Sequence, residues 1–561
     1  MASVRADRLV GRSGELDLLT AMLEHAAIGQ PRATLISGDA GVGKTRLVEE
    51  LTRIAAERSF LVLSGRCADV GGNVPYLPIA DALRNAVTRP EAPEPLLKAL
   101  AHRQILGRLL PDHSGSELAD GEVAGITQQQ LFGAVLGLLA ELAETAPVLL
   151  TLEDLHWADR STRELVTFLS RVLHRESLGL LLSYRTDDLH RGHPLRPVLA
   201  ELSRLPNVTA VPLGPLDDQA MADHLTALSD GPLEARALKS IITRAEGNAY
   251  YAEEILAVSG DGSDLPTSVA ELLLSRVQRL SSDAQRVLHA ASVAGRRVED
   301  QTLQITCELS GPAYDVAVGE AVAHHLLVPD GTNGYAFRHA LLREAAYDDL
   351  LSGERTRLHA RLAALLASES RPTTLSRTAA ELAHHCLASH DIPGAFSASV
   401  QAGREAEGLA APAEAHRHYE QALSLWERTD CPEKRAGVSR GELGFSSAVN
   451  ASASGDIGRA VHQLRHLVEY LSGTSTEATL LCRAGERLAL CLLEAGQKPE
   501  ATVAAKAAVH ALADDHPGWE RAQALATYAH ILLYSGEAEQ AGELAELARQ
   551  AAQRSASPWI E

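Results

Sequence analysis

Gly38-Asp-Ala-Gly-Val-Gly-Lys44-Thr45 constrains this chain more than any other segment. It has a glycine, four free positions, then Gly-Lys-Thr, and it lies between the apolar run Ala33-Thr-Leu-Ile-Ser37 and a stretch with helical spacing. Strand, glycine loop and helix in that order form a phosphate cradle. The glycines let backbone N–H groups approach oxyanions, and the helix N-terminus adds the positive end of its dipole. Gly38, Gly41, Val42, Gly43, Lys44, Thr45 and Arg46 are therefore expected to bind a nucleotide. Lys44 would reach the outer phosphates and the Thr45 hydroxyl would ligate Mg²⁺. Chance supplies about 0.004 such matches in a chain of this length and composition.

Four more apolar runs, starting at Phe60, Val148, Leu178 and Val208, alternate with helical segments. Runs of this length with helices between them predict a parallel sheet buried on both faces. Residues 1–215 are thus expected to be an α/β P-loop core, with a helical insertion at about 66–130. The run from Val148 ends in Glu153-Asp154. Paired carboxylates at a strand tip are where P-loop proteins hold Mg²⁺ and orient water. Glu153 is expected in the metal shell with Thr45, and Asp154 as the group that polarises water. The order Glu then Asp inverts the usual one, which disfavours fast hydrolysis. Arg185 ends the next run. It fits either a γ-phosphate sensor or a salt-bridged surface arginine.

Residues 216–265 look all-helical, a lid over the core. Residues 266–371 are helical up to Leu326–Arg338, where two short apolar runs flank Asp-Gly and Asn-Gly. That is a hairpin signal, and helices followed by one hairpin suggest a winged helix. From residue 372 to 561 a repeat appears: Gly455, Gly496 and Gly536 precede Ala460, Ala501 and Ala541, and Ala415 starts the series. Helix pairs repeated at this spacing stack into a TPR-like α-solenoid. The expected fold class is multidomain α/β plus α.

Charge and cysteine usage bound the partners. With 52 basic and 73 acidic side chains the net charge is −21, and no clear basic face stands out. Autonomous nucleic-acid binding is therefore not expected. Six scattered cysteines without a CxxC pair suit buried thiols in a reducing cytosol. No signal-peptide pattern opens the chain, and Glu141 and Glu144 interrupt the longest apolar stretch. A soluble, cytoplasmic protein with no membrane span is expected.

Several segments together resemble the signal-transduction ATPases with numerous domains (STAND). These are Leu9-Val-Gly-Arg12 with Glu15, the P-loop, Leu152-Glu-Asp-Leu-His-Trp-Ala-Asp159, Ser183-Tyr-Arg185, Glu246-Gly-Asn248 and Phe337-Arg-His339. The chain is most similar to the large ATP-binding LuxR-type transcriptional regulators of actinobacteria. The resemblance implies that Gly11 and Arg12 lie beside the adenine, that Arg185 is the sensor arginine and that His339 touches the β-phosphate of ADP. Asn248 matches a Gly-Asn-Pro motif, but Ala249 replaces the proline that packs on the adenine. His156, Trp157 and Asp159 match without a firm catalytic role, Trp157 most simply as a packing residue.

The resemblance further implies a switch loaded with ATP or ADP and Mg²⁺, an unknown inducer on the helical repeats, and self-association in the ATP state. DNA would be reached only through a C-terminal helix-turn-helix that these residues lack. No polar capping helix follows the last repeat, so the chain is expected to be a truncated piece of something longer. A steady P-loop ATPase and a repeat scaffold with a structural nucleotide are the competing expectations.

Overall fold

The computed structural model describes residues 9–68, 74–88, 96–98, 104–109, 127–229, 233–258, 269–330, 333–368, 379–473 and 477–555. The chain forms two compact units that meet in sequence between Asp391 and Ile392.

The first unit opens with a five-stranded sheet. Its strands are β1 (Arg32–Gly38), β2 (Leu61–Arg66), β3 (Val148–Glu153), β4 (Leu178–Arg185) and β5 (Val208–Pro212). They lie in the order β2-β3-β4-β1-β5, and every neighbouring pair is parallel. The apolar runs form these strands because both faces are covered. On one face Leu19, Met22, Leu23 and Ala26 of the Ser13–Ala27 helix and Leu47, Val48, Leu51 and Ala55 of the Lys44–Glu57 helix pack on Ile36, Leu149 and Leu181. Their three- and four-residue spacing makes one apolar stripe per helix. Helices Leu77–Val87 and Gln128–Thr145 pack against the sheet and the Arg160–Val172 helix. Gly65 fixes the first of these contacts: a Cβ there would lie 1.7 Å from the Pro78 carbonyl oxygen. Only residues 74–88, 96–98, 104–109 and 127 onward of the expected insertion fall within the described residues.

β5 departs from the expectation of burial on both faces. Only Val211 of its five residues is buried. It is an edge strand paired on one side alone, and Pro212 at its end has no N–H to offer a further neighbour.

Helices Asp218–Leu228, Ala235–Ala245 and Ala249–Val258 follow and share a small core around Met221, Leu225, Ile241 and Ala252. A larger core then gathers helices Ser282–Ala294, Asp300–Cys307, Gly311–Ala323, Ala340–Asp349 and Ser352–Ala367. It includes an antiparallel sheet of β6 (Arg297–Glu299), β7 (Leu327–Asp330) and β8 (Gly334–Phe337) in the order β6-β8-β7. β7 and β8 are the hairpin signalled by Asp-Gly and Asn-Gly.

The second unit is built of antiparallel helix pairs from Ile392–Gly408 to Ala538–Arg554. Three of its turns are the same object. Gly455, Gly496 and Gly536 have φ of 82°, 76° and 86°. In each, the next residue donates its N–H to a carbonyl five residues back, Ala451, Leu492 and Leu532 respectively. This is the glycine-capped helix end with its 6→1 bond. Ala410 makes the same turn at φ 51°, with the Ala411 N–H on the Ala406 oxygen, so the first turn carries a side chain where the others carry none. Ala415, Ala460, Ala501 and Ala541 are all buried.

A Cβ on Gly496 would meet nothing within 4 Å. Gly496→Ala therefore isolates the backbone cost of a left-handed residue. It is expected to destabilise the second unit by about 1 kcal/mol, read from the urea midpoint at unchanged m-value.

Five cysteines are buried, Cys431 is exposed, and none is paired. Among the described residues no helix is long and apolar enough to cross a membrane.

Candidate functional site

The glycine loop joins β1 to the Lys44–Glu57 helix, and the geometry follows from its three left-handed or extended glycines. Gly38, Gly41 and Gly43 have φ of 154°, 86° and 101°. A Cβ on Gly38 would strike the Leu213 carbonyl at 2.7 Å, and one on Gly41 would strike the Asn248 side chain at 2.5 Å. Lys44 folds back so that its Nζ donates to the Gly38 and Asp39 carbonyls at 2.7 and 2.8 Å. Burial, reinforced by Arg185, lowers its ammonium to about 8 against the opposing pull of Asp154.

A cavity of about 580 Å³ opens over this loop. From the core it is lined by Arg12, Gly41, Val42, Gly43, Lys44, Thr45, Arg46, Asp154 and Arg185. Residues 218–258 add His224, Tyr250 and Glu253, and the following part adds Arg296, Arg338 and His339. Cations outnumber carboxylates in this lining, and Leu9, Val10, Leu216 and Pro329 give it an apolar side. A phosphate chain attached to a flat base fits both properties.

The expected residues are placed unequally. Arg12 bonds the Val42 and Gly214 carbonyls at 3.1 and 2.6 Å, which ties the loop to the segment after β5. Gly11 lies outside the cavity lining, and its role is spatial, since a Cβ would meet Ala220 at 2.5 Å. Asn248 also stands behind the loop. Its amide donates to the Ala40 carbonyl at 2.9 Å while its oxygen accepts from the Tyr251 N–H at 3.1 Å. It therefore holds the P-loop and caps a helix at once.

The two acids at the tip of β3 diverge, contrary to the expectation that Glu153 joins the metal shell. Glu153 turns to Arg66 on β2, with an oxygen 2.6 Å from Nη2, and does not line the cavity. The backbone enters the left-handed region at Asp154 (φ 60°), which redirects that side chain to the cavity wall. Asp154 then accepts from Arg296 Nη1 at 3.2 Å. Burial, with Arg66 nearby, lowers the Arg296 guanidinium to about 10 in spite of Asp154.

Arg185 is buried at the end of β4. Its Nη1 lies 3.1 Å from Glu344 and 3.5 Å from Asp188, and its guanidinium stacks over Trp157 at 5.1 Å. Trp157 is thus the platform of Arg185. His156 accepts the Arg185 backbone N–H at 3.3 Å, and burial lowers it to about 3, so it stays neutral. Asp159 caps the Arg160–Val172 helix through the Thr162 N–H at 2.8 Å.

His339 is partly buried in the cavity wall. Its ring stacks on Tyr250 at 3.8 Å and 15°, and its Nδ1 accepts the Leu341 N–H at 3.2 Å. Burial, then Arg296 and Arg185, pushes it well below its ordinary value. The ring is neutral, and with Nδ1 occupied as an acceptor its proton sits on Nε2. Sequence reasoning missed Arg66 and Arg296, and gave no role to Tyr250, Glu253 and Glu344, which lie within the segments of the resemblance. Each acquires its role from a distant partner: Arg66 from Glu153, Arg296 from Asp154, Tyr250 from His339, Glu253 from His224 and Arg338, and Glu344 from Arg185.

A parallel sheet with a phosphate loop after β1, an acid after β3 and an arginine at the end of the intervening β4 defines a P-loop nucleotide-binding core. Residues 8–183 match the AAA ATPase domain family. An AAA ATPase domain binds a nucleotide, usually with Mg²⁺. An uncharacterized protein of Rhizobium meliloti (strain 1021) is 27% identical over 449 residues, covering 74% of this chain and 42% of that protein. The chain thus spans less than half the length of that relative. The STAND protein with a tetratricopeptide repeat sensor from Pyrococcus horikoshii is similar in structure, with a TM-score of 0.50 at 13% identity over 99% of this chain and 72% of that one. At that identity the likeness shows the fold: a parallel-sheet P-loop ATPase core followed by TPR-like helical repeats.

Proposed function

We propose that this chain is the switch of a STAND-type signalling ATPase, of the LuxR-type regulator kind, in which a nucleotide holds three parts of the first unit together. On this reading residues 1–215 are the ATPase domain, 216–265 a helical lid, 266–371 a winged helix and 372–561 a TPR-like sensor. The single observation that carries the proposal is the composition of the cavity wall. Side chains from all three parts of the first unit line one cavity, and two ion pairs, Arg296 with Asp154 and Arg185 with Glu344, tie its core wall to the third part.

Lys44, Thr45, Arg46 and the loop N–H groups would hold the phosphates and Mg²⁺, with Arg12 beside the base. When bound, the Mg²⁺-nucleotide supplies the charge whose size differs between the two states. The chain's own residues do the rest. His339, neutral and protonated on Nε2, is a donor suited to a phosphate oxygen of ADP. Arg185 supplies a fixed positive charge where a third phosphate would come. Asp154, the acid that would orient water, is paired with Arg296 at 3.2 Å and Arg66 at 3.8 Å in this closed arrangement, so hydrolysis is slow. Moving such a switch from 1:99 to 99:1 takes about 5.5 kcal/mol of differential binding. One phosphate with its ion supplies part of that, and an inducer on the repeats together with self-association supplies the rest. Contact with DNA would fall to a helix-turn-helix outside these residues.

The nucleotide carried by freshly purified protein tests this. Denaturation followed by anion exchange of the supernatant is expected to release about one ADP per chain. An empty site, or turnover near 1 s⁻¹ or above without an activator, would favour a steady ATPase.

A further inference from the structure

Three histidines near the end of the first unit have no part in the nucleotide cavity. His359 belongs to the Ser352–Ala367 helix, and His384 and His385 belong to the Ala379–Ala388 helix. One nitrogen from each lies within 4.8 Å of the other two. The ring centroids are 5.0, 5.3 and 5.4 Å apart, and the Nδ1 atoms of His359 and His385 approach to 2.8 Å. His359 and His385 are buried.

We propose that His359, His384 and His385 form a binding site for a divalent transition-metal ion of the zinc type, which staples these two helices together. Three imidazoles leave a fourth position for water, and nitrogen donors without carboxylates select zinc over calcium or magnesium. Zinc–nitrogen bonds of about 2.0–2.1 Å in a tetrahedron place ligand nitrogens about 3.3 Å apart. Two of the nitrogens are already nearer than that, and the third needs only a shift of its ring.

The surroundings suit a ligand histidine. His359 Nε2 lies 3.2 Å from the Tyr347 hydroxyl. A metal-bound imidazole normally donates its other N–H to such an acceptor, which fixes its tautomer. With Nδ1 on the metal, the single proton of His359 sits on Nε2 and faces Tyr347. The competing cation nearby, Arg355, is engaged elsewhere: it lies over the Tyr347 ring at 4.2 Å and donates to the Tyr347 carbonyl at 2.9 Å. Burial first, then His384 and Arg355, lowers His359 to about 4, and burial, then His384 and His359, lowers His385 to about 3. Both rings are neutral at physiological pH, the form that ligates metals. Without metal, the 2.8 Å pair is one hydrogen bond between neutral rings. One of these Nδ1 atoms carries the proton of that bond, so on loading that ring moves its proton to Nε2 and both Nδ1 atoms face the ion, with no net proton released.

The test uses the whole chain, stripped with chelator, saturated with Mg²⁺ and then incubated with ZnCl₂ before gel filtration. Elemental analysis is expected to find about one zinc per chain in the wild type and under about a fifth of that in His359→Gln and His384→Ala. Zinc is expected to raise the melting temperature of the wild type, a readout that needs no variant. His384 is only partly buried, so its truncation disturbs packing least. His462→Ala, which removes half of a separate histidine pair, is expected to keep its zinc. The site assignment is overturned if the wild type retains under about a fifth of an equivalent. It is equally overturned if His359→Gln and His384→Ala hold as much zinc as the wild type.

Discussion

Lys44→Ala is expected to weaken ADP and ATP binding by about 100-fold, measured by isothermal titration or a fluorescent analogue. A hydrogen bond to a charged group is worth up to about 3 kcal/mol, and about 1.4 kcal/mol is tenfold in affinity. The lysine is held in place by two loop carbonyls, so its charge meets the phosphates without a search through rotamers. Affinity retained in the variant would remove the P-loop from the site. pH provides an independent check. With the free ammonium lowered to about 8 and phosphates favouring the charged form, binding takes up a proton above pH 8. Affinity should be flat below pH 8 and fall above it, by up to about tenfold per unit. Stability of the nucleotide-free fold runs the other way. Its lysine pKa lies below the unfolded value of 10.5, so the contribution present above 10.5 is lost as pH falls through 8.

The same residue illustrates what the sequence could tell. The loop around Lys44 was legible because phosphate binding dictates a local pattern, with glycine wherever backbone must enter the left-handed region. β1 to β4 were legible because strands covered on both faces must be apolar throughout. β5 was found but misjudged, since an edge strand can carry the same valines while facing water. The repeats were legible from Gly455, Gly496 and Gly536, whose turn admits glycine most easily. Ala410 shows that the turn itself is set by the helices, because it forms there without glycine.

Partners were not legible. Glu153 and Asp154 are adjacent in the chain, and nothing in their order tells which one Arg66 holds more closely. Asp154 reaches the cavity through a single left-handed residue, a property of the folded backbone. Asn248 was placed at the nucleotide by its motif, yet it acts one layer back, on the Ala40 carbonyl. His359 lies 25 residues before His384, and only the packing of two helices brings them together. Sequence thus reports chemistry dictated by neighbours along the chain, and is silent on ion pairs formed across it.

The second large effect is expected at one of those unread pairs. Arg296→Ala removes the nearer of two cations paired with Asp154, the other being Arg66 at 3.8 Å, and it does so from a different part of the fold than the P-loop. Asp154 is buried, so losing this partner is costly: breaking a buried pair is worth about 3–5 kcal/mol where the structure cannot relax. On the proposed switch relaxation is available, because opening would separate the segment that carries Arg296 from the core and let water reach the carboxylate. Two changes should follow together. Dissociation of ADP should quicken by at least about tenfold, since a cavity cation and an inter-segment tie are both lost. Single-turnover hydrolysis of ATP should rise by at least about tenfold, since a carboxylate relieved of its nearer cation can orient water. Thermal melting would show that the core remains folded. Faster ADP release with unchanged hydrolysis would make Arg296 a phosphate ligand and leave Asp154 without the proposed restraint. Slower hydrolysis would go further: Arg296 would then stabilise the transferring phosphoryl group, and the closed cavity would be the arrangement that reacts.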